Sequence, residues 1–163
     1  MRPKLLLRIA AVLMLLHAVG HTLGTLNSSE PPNHRVGLVI KGMETEHFSF
    51  MGRTTTLAQT FNGYGIILIF VLLLNSMQLW LLAATPNKTM VLTLAVYLLI
   101  TSCFEYIYFF PFAALFTMLA GITSLFAYYK LKVNHKFFYS FQLFKRLDFL
   151  IANYRVIGIG PIQ

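Results

Sequence analysis

His17 and His21 stand four residues apart in an apolar stretch, a spacing that puts them on one face of a helix. Glu105 lies in another apolar stretch, one turn beyond Thr101, and Gln59 and Asn62 open a third. Ionisable and amide groups inside such stretches are costly, so each needs a reason. Two imidazoles and a carboxylate are the minimum composition of a divalent-metal site. An imidazole titrating near neutrality also suits an exchangeable proton, and the same groups could line a pocket for a metal, haem or quinone-type ligand. These five residues are the candidate ligand or metal positions, although the sequence assigns no cofactor. The simpler reading, and the favoured one, is that they hydrogen-bond to neighbouring helices. Zincin-type proteolysis is excluded, because HExxH needs a glutamate that His17-Ala18-Val19-Gly20-His21 lacks. Two histidines on one helix face cannot clamp a haem from both sides. There is no Walker loop, no GxSxG, no paired acidic motif and no Ser/His/Asp set, so no catalytic residue is assigned and a non-enzyme is favoured.

The elements that must position these groups are membrane spans. Of 163 residues, 57% are hydrophobic and 11% charged, against about 25% charged in an ordinary soluble domain. Such a chain must turn much of its surface to lipid. Four apolar stretches, about 5–26, 60–84, 89–108 and 111–129, approach or exceed the roughly 20 helical residues that cross a bilayer. Thr85-Pro86-Asn87-Lys88 forms a polar turn after the second. Pro111 starts the fourth, because without it residues 89–129 would read as one helix too long for a bilayer. The expected fold is all-α, a four-helix membrane bundle, with residues 1–129 as one unit and 130–163 as a tail. Four spans of similar length would place His17, His21, Glu105, Gln59 and Asn62 at one depth.

Lysine and arginine set the orientation. Arg2, Lys4, Arg8, Lys88, Lys130, Lys132, Lys136, Lys145, Arg146 and Arg155 fall on one side; Arg35, Lys41 and Arg53 fall in the loop 27–59 on the other. The positive-inside rule then puts both termini in the cytoplasm. The formal charge of +8 therefore signals membrane orientation and no nucleic acid partner. A rival reading of the first span is a cleaved signal peptide, since Ala18-Val19-Gly20 offers small residues at the cleavage positions. Arg8 and His17 interrupt its apolar core and argue against cleavage. The outer loop 27–59 lacks sustained periodicity apart from a short helix near Val36–Met43. The sequons at Asn27 and Asn87 carry no weight. In the tail, Phe137, Phe141, Phe144, Leu147 and Ile151 recur at helical spacing among basic residues. They predict an amphipathic helix on anionic lipid of the cytoplasmic leaflet.

Helix packing is expected through the small residues Gly20 and Gly24, which form a small-xxx-small stripe, and through Gly63 and Gly65. Asn75 and Gln78 in the second span are expected as interhelical hydrogen bonders. Cys103 is a lone cysteine without a disulfide or CxxC partner.

The segments Gly20-His21-Thr22-Leu23-Gly24, Met51-Gly52-Arg53 and Phe61-Asn62-Gly63-Tyr64-Gly65 resemble an uncharacterised family of small four-span bacterial membrane proteins, DoxX-like in size. In that family a Gly-His-Thr-x-Gly helix precedes a polar loop and an aromatic-x-Gly-aromatic-Gly helix start. The resemblance covers residues 1–128 and makes His21, Thr22, Gly24, Gly63 and Gly65 signature positions. It departs at Asn62, where an aromatic is expected, and in the basic tail. It implies the bacterial inner membrane and four spans, and it brings no activity.

The sequence thus expects an integral membrane protein of structural or accessory type. The alternatives are a binder of a small ligand, metal, haem or quinone at the outer-leaflet His/Glu cluster, and one subunit of an oligomeric transporter. The partners it implies are lipid and a second membrane protein or a second copy of the chain.

Overall fold

The computed structural model describes the backbone of residues 2–27 and 31–156 and the side chains of residues 2–27 and 31–133. The elements are α1 Pro3–Leu26, α2 His34–Thr45, β1 His47–Phe50, β2 Arg53–Thr56, α3 Leu57–Ala84, α4 Lys88–Tyr108 and α5 Pro111–Val156. α1, α3, α4 and the part of α5 from Pro111 to Val133 are each long and apolar enough to cross a membrane. The protein is therefore a helical bundle of the multi-pass membrane type.

Local sequence sets each helix start. Pro3 occupies the first turn of α1, where its missing N–H costs nothing. Asn33 accepts a hydrogen bond from the Val36 N–H at 3.0 Å, and Asn87 accepts one from the Met90 N–H at 3.2 Å. α3 begins with a capping box, Thr56 accepting from the Gln59 N–H while the Gln59 side chain accepts from the Thr56 N–H. α4 ends at Tyr108 and α5 opens at Pro111, so the link between them is as tight as the proline predicts.

The loop 27–59 is more ordered than expected. α2 covers the predicted short helix, and an antiparallel hairpin follows it, with His47 opposite Thr56 and Phe50 opposite Arg53. Met51 and Gly52 form the turn with φ of 49° and 83°, the left-handed pair that matches strand twist in a two-residue hairpin. α2 and the hairpin lie against α3 and make this the capped end of the bundle.

The spans stand in the order α3, α1, α5, α4: α1 packs on α3 and α5, and α5 also packs on α4, whereas α3 and α4 barely touch. Consecutive in the chain, those two leave the bundle open between them. α1 and α3 run antiparallel, with Lys4 Nζ donating to the Ala84 carbonyl at 3.2 Å and the Arg8 guanidinium 5.5 Å from the Trp80 ring centroid. The core holds Leu7, Met14, Leu72, Leu79, Val91 and Leu98, fully buried or nearly so.

Close helix approach comes from α5. Ala113, Thr117, Ala120, Ser124 and Ala127 are buried at helical spacing, a small-residue face that neighbours can approach closely. A Cβ at Gly121 would stand 2.9 Å from Leu99 Cγ and 3.2 Å from its backbone nitrogen. Gly65 plays the same part on α3, 3.0 Å from Thr25 Cγ2, but nothing lies within 4 Å of a Cβ at Gly20, Gly24 or Gly63. The Gly20/Gly24 stripe is therefore not a helix contact within the chain. Asn75 is buried, whereas Gln78 is exposed on the bundle surface and does not bond between helices. In this half of α3 a polar link to α1 comes instead from Ser76 Oγ, which donates to the Ala11 carbonyl at 2.8 Å.

α5 runs unbroken to Val156, so the helix expected in the tail continues the fourth span, with no break at 129. The apolar stripe from Phe137 to Ile151 lies outside the described side chains, and the sequon after Asn27 falls on undescribed residues.

Candidate functional site

The five candidate residues do not form one cluster. His17 and His21 share a face of α1 as predicted, but they serve different neighbours. His17 is 6% exposed. Its Nδ1 lies 2.9 Å from Thr117 Oγ1, and its ring stacks on Phe116 with centroids 6.4 Å apart. Thr117 is fully buried, and α5, which carries it, also packs on α4. Glu105 is itself only 6% exposed. Its Oε2 is the one buried side-chain polar atom among the described residues without a hydrogen-bond partner. α1, α5 and α4 thus each contribute a buried polar side chain, His17, Thr117 and Glu105.

Thr117 can serve His17 as donor or acceptor because a hydroxyl is both. It sits on the small-residue face of α5, between the helices that carry His17 and Glu105. Sequence reading missed it, since a threonine among alanines, glycine and serine reads as packing. The recurrence of small residues from Ala113 to Ala127 was the available signal that this helix lies at the centre.

His21 turns toward α3. Its Nε2 lies 3.2 Å from the Gly65 carbonyl. A carbonyl only accepts, so Nε2 carries the proton, and Nδ1 of a neutral ring is left as an acceptor. Thr25 Oγ1 donates to the His21 carbonyl at 2.9 Å and lies 3.5 Å from Nε2. His21 and Asn62 both border a cavity of about 790 Å³ at the capped end. The walls come from α1, α2, α3 and the Phe109–Phe110 link, which reaches the cavity on the side where α3 and α4 part. Gly20 and Gly24 face it, and their missing side chains leave the space open. Leu68, Val71, Ile40 and Phe61 supply apolar wall, with Glu44 as the charged group at the α2 side.

The Gln59 side-chain oxygen is committed to the start of α3. Oε1 accepts from the Thr56 N–H at 3.3 Å and from the Thr55 hydroxyl at 3.0 Å, so the role of Gln59 is to cap α3. The Thr56-x-x-Gln59 spacing was the sequence signal for both the cap and the earlier helix start. Nor do His17, His21 and Glu105 converge on a metal: among the described residues no three His, Cys, Asp or Glu side chains come together in a metal-holding group. What the arrangement offers chemically is an open apolar cleft edged by an imidazole, and beside it a separate buried His17–Thr117 hydrogen bond.

No model of a known protein family matches the chain, and neither a curated protein nor a solved structure matches it.

Proposed function

We propose that this protein is a non-enzymatic membrane protein that binds a small, largely apolar ligand with a polar head, of the quinone or lipid type, in the cavity at its capped end. The observation that carries this reading is the cavity itself, about 790 Å³ with mainly apolar walls. That volume lies within the roughly 300–1,000 Å³ of small-molecule sites, which combine apolar lining with a few polar groups. His21 Nδ1 is the acceptor for a hydroxyl on the ligand head, and Asn62 can both donate and accept. Helix termini on the lysine- and arginine-rich side would lie in the cytoplasm, placing the cavity in the outer leaflet. The resemblance of Gly20 to Gly24 and of Phe61 to Gly65 to small bacterial membrane proteins supports the inner membrane as its location.

The test is an inventory of lipophilic molecules released from detergent-purified protein by mass spectrometry, compared with Gly24→Leu, whose side chain would fill the chamber. The expected result is one dominant lipophile near one per chain, lost in Gly24→Leu while thermal unfolding is unchanged. Bulk membrane lipid in the same mixture from both proteins would overturn binding and leave an accessory, structural bundle.

A further inference from the structure

We propose that the β1–β2 hairpin is a membrane anchor, whose Phe48, Phe50 and Met51 side chains enter the interfacial layer of the leaflet at the capped end. The inference does not depend on the cavity, none of whose walls comes from the hairpin.

The hairpin is built the wrong way out for water. Strand side chains alternate between two faces, and opposite residues of an antiparallel pair share one face. Phe48 and Phe50 therefore lie on one face, opposite Thr55 and Arg53, and the other face carries His47, Ser49, Thr54 and Thr56. Thr56 is buried and its hydroxyl accepts from the Gln59 N–H, so the polar face is the one tied to the bundle. Phe48, Phe50 and Met51 are instead 38%, 63% and 92% exposed, and none of them joins the core. Met51 also holds a left-handed φ of 49°, at a turn position that suits asparagine or glycine. A methionine there gives up the easier turn for an apolar tip.

The length of α3 places this hairpin at the membrane surface. β2 runs into α3 without an intervening residue, Thr56 being the N-cap of the helix. α3 has 28 residues, about 42 Å at a rise of 1.5 Å each. A bilayer with its headgroups is about 40–45 Å thick, so a crossing α3 holds the hairpin base at the headgroup layer. Phe61 and Tyr64 on α3 share this end of the bundle with Phe109 and Phe110. All four are exposed, as in the aromatic belt of an interface. A strand of four residues is only about 13 Å long, which keeps the tip within reach of the same layer.

Charge fits the same partner. Residues 47–56 contain no aspartate or glutamate, and Arg53 is their one permanent cation. Its side chain is exposed and stands across from Phe50. The guanidinium can meet a lipid phosphate while the ring and Met51 go below it, the arrangement of segments that lie in an interface.

A single tryptophan reads the depth of the hairpin in the full-length protein, reconstituted in phosphatidylcholine vesicles. Trp80→Phe removes the one native tryptophan, and Phe50→Trp or Thr54→Trp places a new one on the apolar or the polar face. At position 50 the expected result is blue-shifted emission, lost when the acyl chains are brominated near the headgroup and little affected by aqueous acrylamide. At position 54 the emission should stay red-shifted and be lost to acrylamide. Red-shifted, acrylamide-quenched emission at position 50 would leave the hairpin in water and overturn the anchor. Blue-shifted emission that brominated lipid does not quench would place the tip against protein and overturn it equally. Quenching by lipid at both positions alike overturns insertion through the phenylalanine face. Met51→Trp, at the most exposed position of the hairpin, gives the same reading where Phe50→Trp folds poorly.

Discussion

His17 Nδ1 and Thr117 Oγ1 lie 2.9 Å apart although one hundred positions separate them in the chain. The contact ties the first span to the fourth. Removing the hydroxyl leaves the buried His17 Nδ1 short of a partner. Thr117→Val is therefore expected to destabilise the bundle by about 1–3 kcal/mol. Thr117→Ser, which keeps the hydroxyl, should cost about 0.8 kcal/mol for the lost methyl. Denaturant unfolding in detergent micelles checks the order of the two; equal losses would mean that packing alone matters at this position.

Two glycine substitutions should separate helix contact from open space. Gly121→Ala places a methyl 3.2 Å from the backbone nitrogen of Leu99, which cannot swing aside, so α4 and α5 must part. The expected cost is about 1–3 kcal/mol. Gly20→Ala meets nothing within 4 Å and should be neutral or stabilising by up to about 1 kcal/mol, because alanine suits a helix better. Melting temperatures of the two variants, measured in one detergent, make the comparison.

The hairpin turn gives a local test. Met51 holds φ at 49° and is 92% exposed, so it carries left-handed strain without packing in return. Met51→Asn should tighten the hairpin by about 1 kcal/mol, and Gly52→Ala, at φ of 83°, should loosen it by about 1–2 kcal/mol. Hydrogen exchange of the amides from His47 to Thr56 reports both effects and should leave the spans unaffected.

Orientation can be measured without reference to any ligand. With Cys103→Ser removing the one native cysteine, a cysteine at Asn33 should react with an impermeant thiol reagent added to intact cells, and a cysteine at Asn87 should not. Labelling at position 87 alone would reverse the bundle in the membrane and place the cavity at its inner face.

Read alone, the sequence determined the spans. Apolar length, Pro86 and Pro111 set the four spans within a few residues, apart from the end of the fourth, whose helix continues into the tail, because in lipid every backbone polar group must be satisfied within the helix itself. It also put His17 and His21 on one face of α1, since helical spacing is local. Capping was legible too: Thr56 and Gln59 sit at the spacing of a capping box, which starts α3 three residues before the 60 expected from hydropathy alone. Only the tertiary structure decided which helices are neighbours. α3 is apolar around its whole circumference, and where the surroundings are as apolar as the core, hydrophobic pattern does not mark the face that packs. Hence Gly20 and Gly24, which resemble a packing stripe, border a cavity, while Gly121 makes the close contact. For the same reason the two histidines part company, His17 joining Thr117 and His21 joining Gly65. Side chains four residues apart on one helix point to one side, but the packing order α3, α1, α5, α4 places a different helix against each.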